Sequence, residues 1–405
     1  MKILHTSDWH VGKVLKGQPR LEEHKAVLAE LVEIARAESP DLILVAGDLF
    51  DTAAPTPSAT RLVTGALTAL RATGAQVVAI AGNHDNGAAL DALRPWAEAA
   101  GITLRGTVRG PADHRITGTT AAGERWRLVA LPFLSQRYAV RAVEMFQLSA
   151  AEANQTYADH LARLLAALTE DFAADGVINL ITTHLTVVGG TTGGGERQAH
   201  TIQAYAVPAT VFPASTHYVA LGHLHRAQTV PGPAPVHYCG SPLAVDFGES
   251  ANTPSVTLVE VAAGGTAQLR QVPITSAVPL RTVRGTVAEL AAREPDEAWL
   301  RVFVTEPPRA GLREEVQELL PRALEVRVDP ALLPPSTPAA ASLDRAGRSP
   351  IELFNEYLSV KGHDDPAVRE LFAALYEEVQ DHSPGELPDE DVAGAATGAG
   401  QEGRG

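Results

Sequence analysis

The chain holds one cysteine, Cys239, so an internal disulfide is impossible and a cysteine-built structural zinc site is excluded. Thiol scarcity points to the cytosol. No apolar run approaches 18 residues, which argues against a helical membrane span. The first residues pass directly into a strand pattern, Lys2-Ile3-Leu4, so no secretory signal is expected there. No Gly-Lys-Ser/Thr phosphate loop occurs, and ATP hydrolysis by that route is not expected. Basic charge is also short: 33 Lys and Arg against 48 Asp and Glu leave a formal −15. Alone, that opposes a nucleic-acid partner. Clustered aspartates holding divalent cations would reverse the sign locally.

Hydrophobic residues make up 45% of 405, enough for one large domain with one or two smaller ones. Lys2–Ser7 reads as a strand stopping at Asp8-Trp9-His10. A helix with Leu21, Val27, Leu28, Leu31, Val32 and Ala35 on one face follows and ends at Pro40. A second strand, Asp41–Ala46, stops at Gly47-Asp48. A further helix runs to about Gly74, and a third strand, Val77–Ala81, stops at Gly82-Asn83-His84-Asp85. This rhythm predicts a sheet with parallel neighbours and right-handed crossovers. More strands are expected at Trp126–Phe133, Val177–Thr183, His217–Leu221, Val236–Cys239, Ser255–Val261 and Ala267–Val272, and a long helix within Ala151–Phe172. Two facing sheets between outer helices would hold them all. The Gly-rich stretch Gly189–Gly195 reads as a mobile loop, since no good helix follows it.

The pattern changes near Pro273–Pro279. Residues 276–331 read as a small α+β domain, and 332–347, with Pro334, Pro335 and Pro338, as a linker. Two amphipathic helices occupy 348–382, the first opening Ser349-Pro350-Ile351-Glu352 as a capping box. Their apolar faces (Ile351, Phe354, Tyr357, Leu358; Val368, Leu371, Phe372, Leu375, Tyr376, Val379) exceed what two helices bury alone. They fold back on the main domain or dock on a partner, and docking is the favoured reading. Residues 383–405, with five acids and one Arg, read as a disordered tail.

Candidate metal ligands stand at five strand ends: Asp8 and His10; Asp48; Asn83; His184; His223 and His225. Ligand sites in α/β sheets form where strands deliver their C-terminal ends. Extended backbone would put both side chains of Asp8-x-His10, and of His223-x-His225, on one side. Carboxylate, imidazole and one amide oxygen suit Mn²⁺, Fe²⁺ or Zn²⁺. Seven ligands suit two ions sharing a carboxylate, with Asp48 the natural bridge. Asp8, His10, Asp48 and His225 are assigned to one ion, and Asp48, Asn83, His184 and His223 to the other. Two ions about 3.5–4 Å apart can clamp a phosphoryl group for in-line displacement. His84 is left as a catalytic residue, to protonate the leaving oxygen or to stabilise charge on the transition state, with Asp85 placed to orient it. His5, His217 and His237 read as residues behind the site and Trp9 as packing beside it. His24, His114, His160 and His200 carry no signal, and Cys239 reads as a buried strand residue.

These five stops resemble the calcineurin-like metallophosphoesterases. Longer strings narrow the likeness: His5–Gly12, Gly47–Thr52, His184–Gly190, and Gly240-Ser241-Pro242-Leu243 with Asp246-Phe247-Gly248-Glu249 resemble the nuclease (D) subunits of bacterial SbcCD complexes. The resemblance is strong over residues 1 to about 250 and continues in layout beyond. It implies a four-layer α/β/β/α core with two Mn²⁺, a small domain capping DNA, and a C-terminal helical segment binding the coiled coil of an SbcC ATPase. It implies ATP-dependent double-strand 3′→5′ exonuclease and single-strand or hairpin endonuclease activity, acting in repair, replication and recombination. A heterotetramer of two D and two C subunits, cytoplasmic and at the nucleoid, is the assembly implied. Eukaryotic and archaeal relatives carry a second catalytic histidine after the bridging aspartate; here Asp51 stands there, as in the bacterial branch, so no second acid is assigned. The competing readings are a stand-alone phosphoesterase acting on small molecules or proteins, and a scaffold that has lost its metals. The terminal helices count against the first and the complete ligand set against the second.

Overall fold

The computed structural model describes residues 1–135, 138–139, 142–143, 156–173, 175–196, 206–294, 297–332, 350–361 and 365–381. Two compact units result, Met1–Leu332 and Leu333–Gly405. Most of the expected linker, all of the expected tail, and Ala151–Gln155 of the expected long helix lie outside the described residues.

In chain order the first unit contains β1 (Lys2–Thr6), a short hairpin of β2 (Val14–Leu15) and β3 (Gln18–Pro19), α1 (Leu21–Glu38), β4 (Leu42–Val45), α2 (Pro57–Arg71), β5 (Gln76–Ile80), α3 (Gly87–Ala92), α4 (Arg94–Ala99) and β6 (Ile102–Arg105). It continues with α5 (Pro111–His114), β7 (Arg115–Thr119), β8 (Arg125–Leu131), α6 (Tyr157–Leu168), β9 (Ile178–His184), β10 (Tyr218–Gly222), β11 (Gln228–Val230), β12 (Val236–Tyr238), β13 (Ser255–Glu260) and β14 (Gln268–Pro273). One sheet has the order β14-β13-β1-β4-β5-β6 and the other β11-β12-β10-β9-β8-β7. The strands β1-β4-β5-β6 and β12-β10-β9-β8 are parallel; β6 forms one edge of the first sheet, and antiparallel strands close the other three edges.

Side-chain alternation explains the layering. In β4, Leu42 and Leu44 face the second sheet, joining Trp126, Leu128, Leu180 and Tyr218. Ile43 and Val45 face α1 and α2, joining Val27, Leu31, Val63 and Leu67. The second sheet's outer face packs Ile181, Val219 and Leu221 against Leu161, Leu164 and Leu168 of α6. This is the expected α/β/β/α sandwich. Strands buried on both faces need near-continuous apolar runs, which is why β4 and β5 were easy to read from sequence.

The small region after β14 holds β15 (Leu280–Gly285), α7 (Val287–Ala291), β16 (Trp299–Val304), α8 (Leu312–Leu319) and β17 (Ala323–Val328), with all three strands parallel. Thr286 caps α7 through a reciprocal box with Glu289. This region packs on the core through Leu280, Phe247, Ala244 and Leu15, with Trp299 and Leu324 at the margin. Trp299 Nε1 donates to Glu23 Oε1 at 2.9 Å, and the Arg301 guanidinium lies 4.7 Å above the Phe247 ring.

In the second unit, α9 (Pro350–Lys361) and α10 (Pro366–Asp381) pair through stacked Phe354 and Phe372 rings, 3.9 Å between centroids. Tyr357 and Leu371 remain 56% and 60% exposed, so the pairing leaves apolar side chains uncovered within this unit.

Candidate metal centre

The parallel strands β1 and β4 end side by side, and their loops stay paired beyond the sheet. Asp8 N donates to Gly47 O, His10 N to Asp48 O and Val11 N to Leu49 O, each at 3.0 Å. The backbone here is not extended, contrary to the expectation for Asp8-x-His10. Asp8, His10 and Asp48 have φ of 55°, 48° and 53°, and His223 has 101°. The left-handed region costs a non-glycine residue roughly 1–2 kcal/mol. Four ligand candidates occupy it, which turns their side chains back into the cleft between the sheets and concentrates strain at this one place.

The seven candidates come together there. Asp8, His10, Asp48, His184, His223 and His225 are each at most 3% exposed, and Asn83 is half-buried. Donor atoms of Asp8, His10 and His225 lie within 4.8 Å of one another, as do those of Asp8, Asp48 and His184. Asp48 Oδ2 is 3.6 Å from His10 Nε2 and 3.5 Å from His184 Nε2, so this carboxylate reaches both halves of the cluster. Asn83 Oδ1 is 2.9 Å from His184 Nε2 and 2.8 Å from His223 Nδ1.

Ring orientation shows what the cluster suits. A carbonyl can only accept, so the 2.8 Å contact from His184 Nδ1 to Ala46 O places a proton on Nδ1; in the neutral tautomer that ligates a metal, Nε2 then carries the lone pair and is aimed at Asn83 Oδ1. His225 Nδ1 meets Glu249 Oε1 at 2.7 Å, which likewise frees Nε2; that atom faces His10 Nε2 at 3.1 Å. In those neutral tautomers the Nε2 atoms converge on other donor atoms, an arrangement that a divalent cation satisfies, and the residues present fit one.

The electrostatics agree. Burial pushes the Asp8 carboxyl up. Burial also opposes ionisation of Asp48, but His184, His10 and His84 outweigh it and hold that carboxyl well below its ordinary range. Burial would lower His184 and His225, yet Asp48 and Asp8 lift the first to about 9, and Glu249 and Asp8 lift the second to about 10. Burial takes His10 down to about 3. The pocket therefore calls for positive charge around its two carboxylates.

His84 lies against the cluster, 8% exposed, its ring edge-on to His10 at 4.6 Å between centroids. Its main-chain N–H donates to Asp48 Oδ1 at 2.8 Å, and its Nδ1 meets Asp51 O at 2.8 Å. A donor atom of His84 also falls within 4.8 Å of His10 and Asp48, so position alone does not separate a ligand from an acid. The expectation that Asp85 orients His84 needs correction. The Asp85 carboxylate accepts main-chain N–H groups of Gly82 (2.9 Å), Phe50 (2.9 Å) and Leu49 (3.2 Å), tying the β5 turn to the β4 loop. Gly82 packs directly against the Asp48 loop. A Cβ there would sit 2.2 Å from Asp48 Oδ1 and 2.3 Å from Asp48 N, so the glycine is needed for close approach.

His5, His217, His237 and Trp9 fall behind or away from the cluster, and His200 lies outside the described residues. His5 Nδ1 pairs with Tyr218 Oη at 2.8 Å, His237 lies between Thr229 and Thr257, and His217 receives the Asn179 N–H. Trp9 is buried in the α1–α2 core. Cys239 is buried and touches Ser7 Oγ, which donates to Asp8 Oδ2. Glu196 and Glu249 escaped sequence reading. Glu196 Oε1 accepts the His225 N–H at 3.0 Å. Glu249 was legible only as part of a family string.

Comparison with known proteins places this geometry. The calcineurin-like phosphoesterase family profile matches residues 1–199, and that of the type 5 capsule protein repressor C-terminal domain matches residues 276–361. The chain is 38% identical over 286 residues to the D subunit of the SbcCD nuclease of Bacillus subtilis, covering 69% of this chain and 71% of that protein. It is 39% identical to the corresponding nuclease subunit of Rhodobacter capsulatus, again over 69% and 71%. It is 33% identical to that of Escherichia coli K12, over 76% of each chain. With this identity across more than two thirds of its relatives' length, the chain belongs to the family of SbcCD nuclease D subunits.

Proposed function

We propose that this chain is the metal-dependent nuclease subunit of an SbcCD-type complex, hydrolysing DNA phosphodiester bonds as a double-strand 3′→5′ exonuclease and a single-strand or hairpin endonuclease. The observation that carries the reading is the buried cluster of two aspartates and four histidines where parallel strand ends converge. Asp8, His10, Asp48 and His225 would hold one divalent ion, and Asp48, Asn83, His184 and His223 the other; the mixed carboxylate, amide and imidazole set suits Mn²⁺, Fe²⁺ or Zn²⁺, and the family resemblance favours Mn²⁺. When bound, the two ions supply Lewis-acid charge to the phosphoryl oxygens.

The chain's own residues do the rest. Asp48 keeps both halves of the cluster in register from a strained but hydrogen-bonded loop. His84 carries its Nδ1 proton toward the Asp51 carbonyl, so the proton it can deliver is the one on Nε2 of the imidazolium. Given to the leaving oxygen, that proton neutralises its developing charge.

Residues 1–275 form the nuclease domain and 276–331 cap the DNA in this reading. Residues 348–382 dock on the coiled coil of an SbcC-type ATPase, their uncovered Tyr357 and Leu371 being the supporting observation. No described helix is long and apolar enough to cross a membrane. A cytoplasmic, nucleoid-associated heterotetramer of two D and two C subunits is proposed. The net charge of −15 leaves duplex grip to the partner and the small domain. Cleavage of hairpin DNA with and without the partner and ATP tests the proposal. Cleavage that requires all three of metal, partner and ATP supports it, while a chain active only on small phosphoesters in their presence refutes it.

A further inference from the structure

The Gly-rich loop and the turn at Asp246–Glu249 meet behind His225, and neither is used in the reaction described above. Glu249 is 1% exposed and sits at the end of a 3-10 turn, Phe247–Glu249. Its Oε1 meets His225 Nδ1 at 2.7 Å, and its Oε2 accepts the Val245 N–H at 2.9 Å. Both carboxylate oxygens are thus committed, and the group cannot swing away from the imidazole without leaving a buried N–H unpaired. From the other side, Glu196 Oε1 accepts the main-chain N–H groups of His225 (3.0 Å) and Gly193 (2.5 Å), and its Oε2 accepts that of Gly194 (2.8 Å).

The loop fits over this pair only because it has no side chain. A Cβ at Gly195 would lie 1.7 Å from Glu249 Oε1 and 3.0 Å from His225 Nδ1. One at Gly194 would lie 2.8 Å from the Gly248 carbonyl carbon. The glycines therefore seat the loop backbone directly on the acid–imidazole contact.

We propose that Glu249 is the positioning residue of His225. It holds the imidazole with Nε2 as the free donor, while the Gly193–Glu196 loop, packed on the pair, keeps water from competing for the carboxylate. The proposal rests on the reading of His225 as a metal ligand. It also separates the two halves of the centre, because His184 is backed by the neutral Ala46 carbonyl while His225 is backed by a charge. A carboxylate behind a ligand imidazole raises its basicity and fixes its tautomer, and removing such a partner weakens metal affinity about 10–100-fold.

The experiment is Mn²⁺ titration of the metal-free full-length chain, read by the electron paramagnetic resonance of free Mn²⁺, with thermal melting of the same metal-free samples. The wild type should take up two ions. Glu249→Gln should weaken one of them about 10–100-fold and leave the other ion unchanged, with the metal-free melting temperature lowered only modestly, because the amide cannot accept from both buried N–H groups. Gly195→Ala, which alters no charge, should weaken the same single ion by displacing Glu249, and it decides the matter alone if Glu249→Gln fails to fold. Two ions of wild-type affinity in both variants would overturn the proposal and leave the two-ion reading intact. Joint weakening of both ions with a lowered melting temperature would reduce Glu249 to a packing role. A wild type that takes up no Mn²⁺ would overturn the metal reading itself.

Discussion

Gly82→Ala tests how tightly the fold holds Asp48. The added Cβ would meet Asp48 N at 2.3 Å and Asp48 Oδ1 at 2.2 Å, distances no real Cβ tolerates. Main chain is on one side of the contact, so relief by a side-chain rotation is not available. The loop must retreat by about 0.7 Å or more, carrying with it the carboxylate that reaches His10 and His184. The same movement stretches the 2.8 Å bond from His84 N to Asp48 Oδ1. Overpacking of this kind costs about 1–3 kcal/mol, small against a typical stability of about 5–15 kcal/mol, so the chain should still fold. A misplacement of about 1 Å at reacting groups costs on the order of 100-fold in rate. The assay is Mn²⁺-dependent hydrolysis of a chromogenic phosphodiester, alongside thermal melting. We expect a folded protein with a modestly lowered melting temperature and roughly 100-fold less activity. Activity within about threefold of wild type would show that Asp48 is not held as described.

His84→Ala should reduce cleavage by about 100- to 10,000-fold while Mn²⁺ content stays nearly intact; loss of both ions would assign His84 to the metals instead of the leaving group. Deleting residues 348–405 should abolish co-purification with the ATPase partner and spare phosphodiesterase activity on the small ester. A deletion variant that still binds its partner would overturn the docking proposal. Glu30 accepts from Thr275 and Ser276 at the exit from β14, and those bonds outweigh burial to bring its carboxyl down to about 2. A depressed folded-state value stabilises above the unfolded value of 4.5 and is lost as pH falls toward 2. Wild type should therefore melt above Glu30→Gln at neutral pH, with the difference vanishing between about pH 4.5 and 2. A difference independent of pH would show that the charge is not what matters.

The core was legible because β1, β4, β5, β9 and β10 are buried on both faces and end in abrupt polar stops. Each stop carried its candidate ligands in plain view. Edge strands were harder. Arg115-Ile116-Thr117-Gly118-Thr119 is exposed along much of one face, so β7 lacks the apolar run that marked the others. Ligand geometry was misjudged where backbone conformation mattered, since period-two reasoning assumes extended chain and Asp8 and His10 are left-handed. Asp85 looked like a partner for its neighbour, yet main-chain donors from a loop 35 residues away claim it. Glu249 reaches His225 across 24 residues, a contact no local pattern encodes. The Gly-rich loop read as a mobile loop because it lacks a phosphate-loop ending and no good helix follows it. In the structure its glycines serve close packing on Glu249 and Gly248.

The central claim is metal-dependent cleavage of DNA by this chain within its complex. Linear duplex DNA incubated with the purified chain, its ATPase partner and ATP tests it most directly, comparing Mn²⁺, Mg²⁺ and chelator. Rapid degradation with Mn²⁺, poor degradation with Mg²⁺ and none with chelator is the predicted result. Equal rates in Mn²⁺ and Mg²⁺ would contradict the imidazole-rich ligand argument, and degradation in chelator would contradict the metal centre altogether.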